Sequence, residues 1–316
     1  MRKALVMCVD QTFAPFAIFL ASQINRLCPA RDFDICLVSD AQLVVPPAFD
    51  GLHLRLIGPV QDPAYLALEN RELPRSTYLR LWMPHLLNQD YDRLIYLDAD
   101  MFAEGGDWSA LFEVDLQGHA LAAVRDVQQW REPERKVFEF EATRRGSRPY
   151  FNSGLMVIDP AIFVARDVRD RCLALGNAQP ELAVHHDQSL LNLAVDGAWA
   201  ELSPVWNWQW PLKHPMFTDW AAPNLIHFIG HLKPWNDKRG LYPQRFRHAY
   251  SSFMSQHFAG FPVITVPETS LLRSGPRTLR MVVQFLARRA ALLRYLDRFP
   301  DPLATARSDL RSQEGP

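Results

Sequence analysis

The sequence predicts an α/β fold built on a mostly parallel sheet with helices on both sides, and three observations carry that prediction. Apolar runs of strand length, such as ALVMCV at residues 4–9, are continuous rather than alternating, as in strands covered on both faces. Stretches with apolar residues at helical spacing follow, the first at 14–28. The two patterns then alternate, which is the order of βαβ units.

Residues 4–9 are read as the first strand and 14–28 as the first helix. DICLV (34–38) and LHLRLI (52–57) give two more strands, Ser76 to Leu87 a helix and RLIYL (93–97) a strand. Residues 108–112 fit a short helix and ALAAVRD (120–126) a further strand. The charged stretch 128–149 suits either an exposed excursion that covers an active site or an ordinary solvated helix and loop. SGLMVID (153–159) is strand-like, and Pro160 opens a helix to about 175, because proline fits a first helical turn. Residues 186–195 read as another helix. From Arg277 to Arg298, Leu, Val, Phe and Tyr are interleaved with six arginines against the single acid Asp297, a basic amphipathic segment. The chain divides into a main domain, 1–267, and a tail, 268–316.

With 316 residues, 48% of them hydrophobic, the chain can bury one large core or a core with an appendage. Charge nearly cancels, 34 Lys and Arg against 35 Asp and Glu, so nothing suggests a nucleic acid partner. Cys8, Cys28, Cys36 and Cys172 are scattered without a C-x-x-C pair, which argues against a disulfide framework or a zinc site. The apolar run at the N-terminus ends at Asp10, shorter than a signal peptide core, and no run of about 18 uncharged apolar residues exists. A cytoplasmic protein is the expectation.

Chemistry is read from RLIYLDADMF, residues 93–102. Asp-x-Asp occurs three times, at Asp32/Asp34, Asp90/Asp92 and Asp98/Asp100. The first two pairs precede a strand. The third follows one, at the end where open α/β sheets bind ligands. Two carboxylates one residue apart project to one side of an extended chain, so both reach one cation, or one binds it while the other holds a substrate hydroxyl. The alternative is an aspartate-rich turn that caps the next element. Further on, NLIHFIGHLKPW (224–235) ends a short strand at His227. Its imidazole either completes a carboxylate metal set, which leans toward manganese over magnesium, or is a core histidine. Gly230 lets the backbone approach a phosphate and Lys233 neutralises one.

IYLDAD, FNSG (151–154), HHDQSLLN (185–192) and IHFIGHLKPW (226–235) stand in an order and spacing that resembles family 8 glycosyltransferases. This is the retaining group that includes glycogenin and bacterial lipopolysaccharide galactosyl- and glucosyltransferases. STYLRLWMPHLL (76–87) is similar to that family's helix before the D-x-D strand, and the resemblance spans roughly residues 4–240. It implies a GT-A fold, the Rossmann-like fold of nucleotide-diphospho-sugar transferases, here with a basic helical extension at the C-terminus.

The resemblance also implies roles. Asp98, Asp100 and His227 would bind manganese, or magnesium, on a UDP-sugar, where a cation stabilises the diphosphate leaving group. Lys233 would contact the diphosphate with Gly230 beside it, and Ala99 and Arg80 would lie at the donor; the other reading of Arg80 is an ion pair on a helix surface. Asp10 ends the first strand, where the family binds uracil and ribose. Asn152 would face the donor sugar, Asp187 would bond its hydroxyls, and Gln188 or its backbone would lie beneath the ring. A neutral amide oxygen is a poor nucleophile, which favours front-face transfer over a covalent glycosyl-enzyme. His185 and His186 read as a helix start. Trp206, Trp208 and Trp210 would stack on an acceptor sugar, or else form a core or a subunit contact. The basic segment at 271–298 would touch an anionic membrane, as suits a lipid-linked acceptor, or pack on the domain.

The expectation is therefore a retaining, metal-dependent enzyme that moves galactose or glucose from a UDP-sugar to a glycan acceptor, lipopolysaccharide or another lipid-linked glycan, in the cytoplasm or on the inner membrane face. A sugar-phosphate nucleotidyltransferase would share the fold and the metal. Against it, VDQTFAP stands where a glycine-rich, lysine-bearing loop belongs. Against a non-catalytic sugar-nucleotide-binding protein stand the intact Asp98, Asp100, His227 and Lys233, each costly to keep without a ligand.

Overall fold

The computed structural model describes residues 1–66, 75–130, 132–210, 218, 221–261 and 275–308. Its strands are β1 (Lys3–Cys8), β2 (Asp34–Val38), β3 (Leu54–Ile57), β4 (Arg93–Leu97), β5 (Met101–Ala103), β6 (Leu121–Arg125), β7 (Phe151–Ile158), β8 (Ala200–Leu202), β9 (Trp208–Gln209), β10 (Leu225–His227) and β11 (Thr305–Arg307). Eight of them form one sheet in the order β11-β8-β6-β7-β4-β1-β2-β3, and the other three form a small sheet, β5-β10-β9.

The half from β4 to β3 is parallel, as the apolar runs predict. The other half departs from the expected parallel order, because β7 runs antiparallel to both β4 and β6. The cause is the connection from β6 to β7. It leaves at Arg125 and returns at Phe151, which are paired across the ladder, so it joins the two strands at the same end and they must run in opposite directions.

Helices cover both faces. Ala14–Leu27 packs with Gln244–His257 and the small sheet on one side, and Leu79–Leu87 packs with the helices of 160–195 on the other. The single helix expected from Pro160 is two, Pro160–Ala165 and Val168–Ala178, since Asp167 between them adopts a left-handed φ of 51°.

The described residues of 128–149 form a mostly exposed or half-buried loop and the short helix Phe138–Ala142, as the helix-and-loop reading expects, but four side chains anchor them. Gln129, Trp130, Glu139 and Phe140 are buried, and Glu139 accepts hydrogen bonds from Ser189 Oγ (2.5 Å) and the Tyr150 hydroxyl (3.1 Å). The charges dominate the composition, but these four side chains point inward. The tryptophans, in turn, are core. Trp206, Trp208 and Trp210 are all buried, packed on Trp108, Trp130 and Phe246. The indole N–H groups of Trp206 and Trp208 donate inside the protein, to Pro302 O and Thr218 Oγ1. No face of the three is left for a sugar, so the core reading holds.

Residues 268–274 and 309–316 of the tail lie outside the described residues. The helix Gly275–Leu296 exposes Leu279, Val283 and Leu286 and buries Leu292 and Tyr295, the latter stacked on Trp130. Beyond it, Arg298 pairs with the buried Glu201 (2.9 Å), which Arg125 also holds (2.8 Å), and β11 pairs with β8. No described helix is long and apolar enough to cross a membrane.

Candidate active site

The site forms where the chain steps from the large sheet to the small one. β4 is fully buried from Leu94 to Leu97, and pairing continues one residue further, with the Asp98 N–H on Gly154 O (2.8 Å). Asp98, Ala99 and Asp100 then cross to β5. Antiparallel pairing of β5 with β10 sets His227 opposite Met101, the residue after Asp100. A histidine 127 positions from Asp100 in sequence is thereby its neighbour in space.

His227 Nε2 lies 3.3 Å from Asp100 Oδ1 and 3.8 Å from Asp98 Oδ2, and the three potential ligand atoms lie within 4.8 Å of one another. Adjacent ligands of an octahedral ion at about 2.1 Å are about 3 Å apart, so the set fits one divalent cation. Asp100 Oδ1 is buried and meets no hydrogen-bond donor at good geometry, His227 Nε2 being its neighbour at 3.3 Å, which fits an oxygen and a nitrogen that share a cation. Burial works against the Asp100 charge, but Lys233 and His227 outweigh it and hold the carboxyl well below the usual carboxylate range. Lys233 donates to Asp100 Oδ2 (2.5 Å) and to Phe228 O.

Arg80 is a buried hub rather than a surface ion pair. Its Nη2 lies 3.1 Å from Asp98 Oδ1, its Nε 2.8 Å from Asp187 Oδ2, and its Nη1 donates to Ser153 Oγ (3.0 Å). Burial opposes the guanidinium charge, yet Asp187 and Asp98 more than compensate and keep it protonated. Burial raises the Asp187 carboxyl to about 6 against the pull of Arg80. It also keeps the Tyr96 phenol protonated, so the phenol donates to Asp98 Oδ1 (2.6 Å).

A cavity of about 730 Å³ opens over these groups. Asp10, Arg80, Asp98, Ala99, Asp100, Gly230 and Lys233 all line it. Asp10 accepts from the Phe13 N–H (2.9 Å) at the start of the first helix. Gly230 has open space around it, and its φ of 83° is what calls for glycine. His227, Asn152, Asp187 and Gln188 sit behind the lining and are bonded to it or to one another. Asn152 Nδ2 donates to Gln188 Oε1 (3.1 Å), which also accepts from the Ser153 N–H (3.1 Å).

Sequence reasoning missed Tyr96, Ser153 and Asn207. Asn207 Nδ2 donates to Asn152 Oδ1 (2.9 Å), and its Oδ1 is 3.0 Å from His227 Nδ1. The available signal was two amides, Asn207 and Gln209, set between three tryptophans, since polar groups among core side chains need partners.

A sequence profile of the family described as glycosyl transferase family 8 matches residues 4–239. General stress protein A of Bacillus subtilis (strain 168) is 29% identical over 214 residues, 63% of this chain and 72% of that protein. Lipopolysaccharide 1,2-glucosyltransferase of Escherichia coli (strain K12) is 30% identical over 183 residues, 54% of this chain; the match spans only 51% of that protein. A crystal structure of the galactosyltransferase LgtC with donor and acceptor sugar analogs superposes with a TM-score of 0.63 at 20% identity, covering 84% of this chain and 98% of LgtC. That likeness is one of fold.

Proposed function

Since this chain belongs to glycosyltransferase family 8, we propose that it transfers a hexose, galactose or glucose, with retention, from a UDP-sugar to a glycan acceptor, assisted by manganese or magnesium. The observation that carries the proposal is the convergence of Asp98, Asp100 and His227, within 4.8 Å of one another, beside Lys233 at the 730 Å³ cavity.

A cation held by these three residues would neutralise the diphosphate as the sugar–phosphate bond breaks. The protein supplies the rest. Lys233 brings a second positive charge to the leaving group. Asp10, which also lines the cavity, offers a carboxylate to the nucleoside. Arg80 fixes Asp98 toward the metal and Asp187 toward the sugar hydroxyls. Gln188 Oε1 already accepts two N–H groups, which withdraws its lone pairs from attack at carbon. This supports front-face transfer, in which the departing phosphate takes the acceptor's proton.

The testing experiment is donor hydrolysis with Mn²⁺ over a panel of nucleotide sugars. Turnover of one UDP-hexose is expected, and no turnover or binding of any uridine donor sinks the proposal.

The acceptor proposal, a lipid-linked glycan such as lipopolysaccharide, draws on the E. coli relative and on the basic helix Gly275–Leu296, whose exposed Leu279, Val283 and Leu286 fit an anionic bilayer surface on the cytoplasmic side. Replacing these three by serine is expected to abolish liposome binding and spare donor hydrolysis; equal binding refutes the membrane role.

A further inference from the structure

Asn207 carries no role in the proposal above, yet it bridges two residues that do. It is fully buried just before β9. Its two hydrogen bonds, to Asn152 Oδ1 and to His227 Nδ1, have fixed directions. A backbone N–H only donates. The Gly154 N–H reaches Asn152 Oδ1 (3.1 Å), and the Ser153 N–H reaches Gln188 Oε1 (3.1 Å), so both amides are oriented by the backbone of FNSG. Asn152 Oδ1 must then receive the Asn207 NH₂, and Asn207 must present its oxygen to His227.

An amide oxygen only accepts. His227 Nδ1 therefore carries a hydrogen, and Nε2 is the ring nitrogen turned toward Asp98 and Asp100. In the other direction Asn152 donates to Gln188 (3.1 Å), Gln188 Nε2 to the Tyr150 hydroxyl (3.5 Å), and Tyr150 to Glu139 (3.1 Å). The five bonds form one chain that runs from the imidazole to a buried carboxylate, all pointing the same way.

Resting on the metal-site reading above, we infer that Asn207 is a positioning residue that holds His227 in its metal-binding tautomer and ties it to Asn152 and Gln188. Substitution at Asn207 therefore has two separable effects. Asn207→Leu removes both bonds. Asn207→Asp keeps an acceptor for His227 Nδ1–H but cannot donate to Asn152.

The test titrates Mn²⁺ alone into the full chain by calorimetry and measures kcat for donor hydrolysis at saturating Mn²⁺. Asn207→Leu should bind Mn²⁺ about 10- to 100-fold more weakly. Asn207→Asp should bind it as wild type does, while kcat falls in both. A merely structural role would lower Mn²⁺ affinity in both variants alike. Wild-type protein loaded with diamagnetic Zn²⁺ gives a readout that needs no variant: long-range ¹H–¹⁵N spectra should show His227 protonated at Nδ1 and metal-bound at Nε2. Unchanged Mn²⁺ affinity in Asn207→Leu, equal losses in the two variants, or a hydrogen on Nε2 overturns the inference while leaving the metal site standing. A wild-type protein that takes up no Mn²⁺ overturns the metal reading itself, and the inference with it.

Discussion

Gly154→Ala reaches the metal site without touching a ligand's own chemistry. A Cβ at Gly154 would stand 2.4 Å from His227 Cε1, 2.7 Å from its Nδ1 and 2.9 Å from the Met101 methyl. Carbon atoms meet without repulsion at about 3.5 Å, so the ring must retreat by about 1 Å. It cannot do so in place, because Asn207 holds one nitrogen and β10 is paired to β5. Metal sites tolerate ligand displacements of about 0.2 Å, so the histidine is lost as a ligand. Mn²⁺ affinity should fall about 10- to 100-fold, about 1.4–2.7 kcal/mol, and overpacking should cost about 1–3 kcal/mol of stability. Calorimetric Mn²⁺ titration and thermal melts read the two effects separately. Raising Mn²⁺ should restore part of the donor hydrolysis, since Asp98 and Asp100 are untouched. Gly118→Ala is the control: φ there is 74° with open space around it, so the strain, about 1 kcal/mol, comes without loss of Mn²⁺ affinity. Wild-type Mn²⁺ affinity in Gly154→Ala refutes the role of His227.

Lys233→Ala should lower kcat for donor hydrolysis about 100-fold and leave Mn²⁺ binding equal or tighter, because it frees Asp100 Oδ2; unchanged kcat removes Lys233 from the mechanism. Asp187, raised by burial to about 6, favours the folded state in its protonated form, so its contribution to stability is full below about 3.8 and lost as pH rises through about 6. Its pairing with Arg80 strengthens over the same interval, so donor hydrolysis should rise through pH 6, and Asp187→Asn should flatten that limb of the profile; an unchanged limb assigns it elsewhere. Glu201→Gln leaves the buried Arg125 facing Arg298 across a neutral amide, and melts should show a loss of about 3–5 kcal/mol. A melt equal to wild type would mean the tail does not depend on this pair.

Legibility followed the strength of the local signal. β1 and β4 carry continuous apolar runs and were readable at once, whereas β7, with Asn152, Ser153 and Gly154 in its first half, was readable only from 153 on. β5, β8 and β11 have three residues each, too few to show a period, and exist because a neighbour offers them an edge. Asp98, Asp100, His227 and Lys233 stood out just past apolar strands, but a capping turn or a core histidine would look the same locally, and only the joint spacing of several motifs singled them out. Glu139 was hidden by the charges around it, and Asn207 by three tryptophans whose bulk draws attention away from it. The break at Asp167 left no trace either, since aspartate enters a left-handed turn without a glycine to announce it.

The passage from β4 to β5 consists of Asp98, Ala99 and Asp100 alone, and that shortness acts as a ruler. One residue inserted here would either slide β5 by a single step against β10, reversing which side its residues face, or turn a carboxylate out of the cavity. One inserted at residues 116–119, between the short helix Trp108–Leu111 and β6, would only lengthen a surface turn. Sequence drift and engineering alike should therefore find this chain elastic in its loops and incompressible across three residues.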